Sequence, residues 1–431
     1  MPTSGPRTTR GYRILTVISQ GIGPNRARNA SERSSVPPHP RVTWALDTVL
    51  MAAICAWAVN DTYTSLRYGG PLLLVLSAPR LLRFQFRASD AVAILFACLA
   101  SLSLFWTVDQ GGSLAFAINQ LCVAAAYIGI RATASEPHRV LTLAIGVLVG
   151  GAASFLRLLL RDPVAQVSDA AIPDRAAIEG INSNYTAYAL SLCFVLAVLM
   201  LRHASRSLPT RAILITGAAC FLGGVYLTGT RGAFLGVALA SLWFLFSRTL
   251  HWYPLRLVAF LAVAAAAAIS VGVADPFLLQ EAVPGRETGT LNGRLPLWQE
   301  ARELISASPF IGHGAGAFRA IIWAGIPAHN ILLETAVGLG AIGVLGLGLW
   351  LYLGLIRETG NPANMTARAD IVGAFIACAA PIYLSGYWDQ SPIGWIVLAL
   401  ATRAAQITPA RPTHLPAGGT SLHRSELSRS T

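Results

Sequence analysis

Apolar runs of membrane length recur along nearly the whole chain, separated by short polar breaks. They predict about twelve helical spans, each close to the roughly 20 residues needed to cross a hydrocarbon core about 30 Å thick. The spans fall at 42–60, 64–79, 88–106, 112–130, 139–160, 184–201, 211–229, 231–247, 255–274, 329–356, 370–386 and 392–407, the second and last being short. The expected fold is all-α, a polytopic transmembrane helical bundle formed by residues 42–407. Residues 1–41 and 408–431 are polar and Arg-rich and read as flexible basic tails. The one apolar stretch of the first tail, Ile14 to Ile22, is short, is broken by Ser19 and Gly21, and has no cleavage pattern after it. It is therefore not read as a signal peptide.

The polar breaks differ in charge, and that sets the expected orientation. Arginines cluster in alternate connections: Arg80, Arg83 and Arg87; Arg131 and Arg139; Arg202, Arg206 and Arg211; Arg248 and Arg256; Arg357 and Arg368. Basic connections stay on the cytoplasmic side, so both termini are expected inside. The other connections then face out. Two are long, 161–183 and 275–328, and others, such as 107–111 and 387–391, are short. No internal repeat is visible, which weakens a duplicated transporter architecture.

Composition agrees. Of 431 residues 54% are hydrophobic and only 12% charged, against about a quarter charged in soluble domains. Mean hydropathy is +0.56. These values exclude a cytosolic enzyme, a disordered chain and a secreted disulfide scaffold. The net charge of +12 comes from arginine alone, since the chain has no lysine. In a membrane protein such an excess reflects topology and anionic lipid, and no nucleic-acid motif accompanies it. The six cysteines sit in apolar runs without a CxxC, so they read as packing residues with no disulfide or thiol metal site.

The topology sorts the eight histidines. Six fall on the cytoplasmic side or in the tails, leaving His313 and His329 outside. Chemistry there that needs a base near neutral pH has only these two histidines. Pro327 breaks the chain before His329, and Asn330-Ile331-Leu332-Leu333 opens a long helix after it, which places His329 in a first helical turn. The positive end of the helix dipole disfavours imidazolium there and keeps the ring in the form that accepts a proton. The alternative is that His329 and Asn330 only cap the helix. His313, between Gly312 and Gly314, reads as a loop residue.

Arg231, in Thr228-Gly229-Thr230-Arg231-Gly232, marks a tight outer turn between two spans. A cation at that depth is costly and points to function, while the bland reading is an interfacial anchor. A guanidinium fork suits paired phosphate oxygens. Arg294 opens a segment to Ser308 in which Leu297, Trp298, Ala301, Leu304 and Ile305 share one helical face. This is expected to be an amphipathic helix on the outer membrane face within the large loop, with most of its apolar stripe packed on the bundle.

Gly312-His313-Gly314-Ala315-Gly316 loosely resembles a phosphate loop but matches no established nucleotide pattern. Arg157, Arg161, Arg175, Arg286 and Arg319 add outer positive charge. Asp47 and Glu334 are the carboxylates placed well inside spans, too few for a proton relay. Glu334 is placed to orient His329 or to bond within the bundle. No outer acidic pair supports a divalent-cation-dependent transferase.

These segments, in this order, resemble the O-antigen ligase and O-antigen polymerase family of bacterial membrane glycosyltransferases. The resemblance covers most of residues 42–405. It rests on Ser103-Leu104-Phe105-Trp106 with Asp109, on Asn182-Ser183-Asn184, and on Thr228-Gly229-Thr230-Arg231-Gly232. It rests also on Gly293-Arg294-x-x-x-Trp298, on Pro309-x-x-Gly312-x-Gly314-x-Gly316-x-Phe318, and on Ala328-His329-Asn330-x-x-Leu333-Glu334.

The resemblance implies a cavity open to the outer face of the plasma membrane. It implies transfer of a glycan from an undecaprenyl diphosphate carrier to a glycan or lipid-core acceptor, with inversion and without a metal or other cofactor. Arg231 and Arg294 match the family's functional arginines and would hold the diphosphate. His329 matches its histidine and would take the acceptor's proton. Arg161, His313, Asn330 and Glu334 complete the expected substrate contacts. Leu295 and Pro296 after Arg294 depart from the pattern. Ligase and polymerase share these motifs, and a ligase-like role is the leading expectation. A transporter or flippase of an anionic or lipid-linked substrate is the competing class.

Overall fold

The computed structural model describes residues 40–61, 63–160, 178, 181–203, 207–249, 294–322, 325–359, 365–385 and 391–407. The helices in order are α1 (Pro40–Asn60), α2 (Gly70–Leu81, entered through a π turn at Ser65–Gly69), α3 (Ala88–Leu102), α4 (Gln110–Thr133) and α5 (Pro137–Leu159). There follow α6 (Ser183–His203), α7 (Leu208–Thr228), α8 (Arg231–Thr249), α9 (Arg294–Ala307) and the single turn α10 (Phe318–Ile321). The last are α11 (Ile331–Tyr352, extended by a π turn to Arg357), α12 (Met365–Ser385) and α13 (Pro392–Ile407). Among the described residues the only β pairing is an isolated bridge between Ile178 and Ile181.

Helices stand at every predicted span except 255–274, which lies outside the described residues together with both tails. Among the described residues seven helices are long and apolar enough to cross a membrane. At the other predicted spans, α1 and α8 have 21 and 19 residues, with apolar stretches at 46–60 and 231–247 among the described residues, and α2 and α13 are shorter, with 12 and 16 residues.

Helices in lipid have little hydrophobic drive to associate, so close contact of small residues does much of the work. α5 lies so near α1 that a Cβ on Gly150 would stand 2.5 Å from the Ala56 carbonyl oxygen. α8 meets α12 in the same way, Gly236 facing the Cys378 carbonyl. At the centre Trp350 of α11 stacks on Trp395 of α13 at 4.2 Å, and Tyr127 of α4 meets Trp350 edge-on at 5.2 Å. α13 is buried on nearly all sides. α7 presents Ile213, Ile215 and Leu222 outward, as a lipid-covered helix should.

Ion pairs gather at the end carrying the basic connections. Arg131, fully buried, meets Asp90 at 3.3 Å and Glu358 at 2.9 Å. Ser89 donates to Glu358 from both its backbone N–H (2.6 Å) and its hydroxyl (2.7 Å). This knot ties α3, α4 and the end of α11. A second joins Arg202 of α6 to Asp370 of α12 at 3.1 Å, with Ser247 of α8 also bonded to Arg202 (2.6 Å). Asp90 and Asp370 are thus buried carboxylates beyond the Asp47 and Glu334 expected within spans. Asp90 sits in the first turn of α3 and Asp370 in the second turn of α12, and each is bound to arginine.

Two expectations follow. Replacing Arg131 with Ala strands Asp90 and Glu358, and breaking a buried pair this way costs about 3–5 kcal/mol. The variant should melt well below wild type in detergent, whereas His138→Ala, at a surface contact with Glu136, should not. A reporter active only outside the cytoplasm should be active when fused after residue 108 and inactive when fused after residue 83.

Candidate active site

α11 is not one continuous helix. At Gly340 the backbone turns to φ 63, ψ −160, so the span expected over 329–356 is two helical segments. The break leaves carbonyl and N–H groups without helical partners, and in a membrane each must be bonded within the protein. The loop after α9 supplies the partners. Ala341 and Ile342 donate to the Pro309 and Phe310 carbonyls at 2.8 and 3.3 Å, and His313 and Gly314 donate to Val337 and Gly338 at 2.8 and 2.9 Å. The loop thus lies along the broken helix like a strand.

The same loop is fixed from the side by the end of α3 and the start of α4. Ser103 Oγ accepts from Ala315 N–H (3.0 Å), Ser113 Oγ donates to the Ala315 carbonyl (2.6 Å), and Trp106 Nε1 donates to Ile311 (3.2 Å). Asp109 caps α4 by accepting from Gly112 N–H at 3.0 Å. The Ser103–Asp109 segment therefore positions the loop.

This geometry corrects the phosphate-loop likeness. The N–H groups of Gly312, His313, Gly314, Ala315 and Ala317 all donate within the protein. A phosphate cradle needs such groups aimed at the ligand. Gly314 is glycine because its φ is 102 and a Cβ would run into Thr107. His313 Nε2 lies 2.9 Å from the Leu304 carbonyl, so its N–H closes the last turn of α9.

α9 packs as expected. Leu297 and Ala301 are buried, with Trp298, Leu304 and Ile305 partly so, against Phe318, Ala328 and Val337. Gln299, Arg302 and Glu303 are exposed. Trp298 Nε1 donates to the Ala328 carbonyl at 2.9 Å, linking α9 to the residue before His329. Arg294 begins this helix. Its side chain, and all of Arg161, Arg175 and Arg286, lie outside the described residues.

His329 stands one residue before the helix cap, not in the first turn. Asn330 is the cap, its Oδ1 accepting from Leu332 and Leu333 N–H at 3.0 and 3.2 Å. Glu334 Oε1 accepts from Ala328 N–H at 2.5 Å. Cap and carboxylate together pin the turn on either side of the histidine. Among the described residues His329 is the only non-glycine with positive φ, at 53. Such a conformation costs on the order of 1–3 kcal/mol and persists where surroundings enforce it, often at functional sites. The capping role suggested for this pair belongs to Asn330. The half-buried imidazole remains at the positive end of α11.

Arg231 is the first residue of α8, after Gly229 ends α7 in the left-handed conformation with φ 60. A helix N-terminus disfavours a cation, so its own helix does not stabilise this guanidinium. Arg231 is exposed, and among the described residues it has no ion-pair partner. Thr230 beside it donates to Asn184 Oδ1 at 3.2 Å, joining the starts of α6 and α8. Asn184 and Thr230 are positioning residues, each within a segment that carries the family resemblance. α12 packs against both α8 and α11, connecting the Arg231 and His329 parts of the bundle.

Three acids on this side serve the backbone. Asp61, Asp109 and Glu334 all accept from main-chain N–H groups. Among the described residues no three His, Cys, Asp or Glu side chains are grouped to hold a metal ion.

The fold defines an all-helical membrane protein in which Arg231 opens one helix and the turn at His329 leads into another. The O-antigen ligase family model matches residues 216–348 of the chain. The matched segment contains Arg231, Arg294, His313, His329, Asn330 and Glu334, while the segments at 103–109 and 182–184 and Arg161 precede it. No curated protein matches the chain.

The loop geometry makes a test. Gly325 has φ 63 with open space around it, so Gly325→Ala should carry only left-handed strain, about 1–2 kcal/mol. Gly314→Ala adds overpacking against Thr107, about 1–3 kcal/mol more. Melting of the two purified variants should separate them in that order.

Proposed function

We propose that the protein transfers a glycan from an undecaprenyl diphosphate carrier to an acceptor sugar on the outer face of the plasma membrane, with both termini cytoplasmic, as an O-antigen ligase does. The acceptor hydroxyl attacks the anomeric carbon opposite the carrier. The new C–O bond forms as the bond to the diphosphate breaks, and the anomeric centre inverts. The electron pair of the broken bond goes to the diphosphate oxygen. Arg231 and Arg294 neutralise the charge that grows there, the task a metal ion performs in other transferases. His329 takes the hydroxyl proton.

The observation that carries this reading is the strained, doubly pinned turn at His329, within the matched segment that also contains the exposed Arg231, which has no ion-pair partner among the described residues. Asn330 and Glu334 hold that turn, and His313 holds α9, so their contribution to substrate binding is through position. Arg161 adds charge for the anionic donor.

A deletion strain complemented with Arg231→Ala, Arg294→Ala or His329→Ala tests the reading, with expression of each variant verified. Each should lose the finished surface glycan by at least about a hundredfold, in the range seen when transition-state donors or general bases are removed. Arg231→Lys should not restore it, because lysine lacks the planar fork. Long unattached chains on the carrier would mean a ligase, and single repeats a polymerase. Wild-type behaviour by all three alanine variants would move transport ahead of transfer.

A further inference from the structure

The basic end of the bundle holds a cavity that the transfer reaction does not use. Its volume is about 310 Å³, at the lower edge of the ≈ 300–1,000 Å³ common for small-molecule sites. Arg80, Arg83, Arg87, Arg139 and Arg403 line it, with Glu136 as the one acid on its wall. It forms where the end of α2, the 82–87 connection, the α4–α5 turn and the end of α13 meet.

The charges there do not cancel. Arg80 has Asp47 at 3.7 Å and Arg139 has Glu136 at 3.4 Å. Arg87 donates to the Glu358 main-chain carbonyl (3.2 Å), and Arg403 donates to the neutral Gln406 amide (2.8 Å) while its guanidinium lies over Phe84. Arg83 is exposed. Among the described residues Arg83, Arg87 and Arg403 have no ion-pair partner. Asp90 and Glu358 stand close by, but both are bound to Arg131. Adding Arg131, Asp90, Glu358 and Asp47 to the wall leaves six arginines against four carboxylates, an excess of two positive charges around one hollow.

Bringing five guanidiniums onto one hollow is unfavourable unless an anion joins them. Guanidinium forks match the oxygens of a phosphate. The 82–87 connection also alternates apolar and polar residues, with Leu82 90% and Phe86 56% exposed beside Arg83 and Arg87. Exposed apolar side chains beside cations are what a bilayer surface accommodates.

We propose that this cavity binds a phosphate-bearing anion, the phosphodiester headgroup of an anionic membrane lipid being the source that the exposed Leu82 and Phe86 favour. It sits at the opposite end of the bundle from Arg231 and His329. It would anchor α2, α4 and α13 to the lipid surface independently of glycan transfer.

The test measures binding of labelled phosphatidylglycerol to the purified full-length protein, with phosphatidylcholine and inorganic pyrophosphate as competitors. Phosphatidylglycerol should bind in preference to phosphatidylcholine. Arg83→Gln with Arg403→Gln should weaken it about 10- to 30-fold, and the paired lysine variants should keep most of the affinity. Arg83→Gln alone, at an exposed position, supplies the comparison if the double variant does not fold, and should weaken binding several-fold. Displacement by millimolar pyrophosphate would keep the phosphate site and make its source soluble. Equal binding of phosphatidylcholine, or unchanged binding by the glutamine variants, would overturn the proposal.

Discussion

The structure depends on a break in a membrane helix and on what repairs it. At Gly340 α11 abandons helical geometry, and groups that water cannot reach need partners. The loop that follows α9 provides them on both sides of the break. Its position fixes α9, because His313 closes the last turn of α9 and Trp298 ties that helix to Ala328. It also fixes the end of α3 through Ser103 and Trp106. The short segment before the break is capped by Asn330 and braced by Glu334, which leaves His329 in a conformation few side chains adopt. An unsatisfied backbone thus leads, bond by bond, to the placement of one imidazole.

The two ends of the bundle treat charge in opposite ways. At the basic end arginines are bound to buried carboxylates, and the Arg131 and Arg202 knots each join three helices. At the other end Asp61, Asp109 and Glu334 bond to main-chain N–H groups. Arg231 is left exposed at a helix N-terminus, the worst place for a cation unless something anionic arrives. That asymmetry fits a protein that receives a diphosphate on one side and is held by lipid and internal ion pairs on the other.

Much of this was legible in the sequence. Apolar runs located the helices because lipid demands long uninterrupted apolar segments, and the Arg294–Ser308 stripe identified the packed face of α9 correctly. The turn at Arg231 was visible from its glycines. The break at Gly340 was not, because Gly338, Gly340 and Gly343 sit in an unbroken apolar run with the hydropathy of a continuous span. The loop glycines looked like a ligand cradle because positive φ and close approach serve a backbone clamp equally well. Asp90 was passed over because its partners, Arg131 and Glu358, are remote in sequence. His329 was placed inside the first helical turn, whereas Asn330 caps the helix and Ile331 begins it.

The most direct measurement reconstitutes the purified protein in liposomes with a carrier-linked glycan and a soluble acceptor sugar. If the protein is a transferase acting through Arg231, Arg294 and His329, undecaprenyl diphosphate should be released in equal amount to glycan joined to acceptor, and His329→Ala should abolish both together. Carrier-linked glycan that crosses to the other leaflet unchanged, with no diphosphate released, would contradict that account.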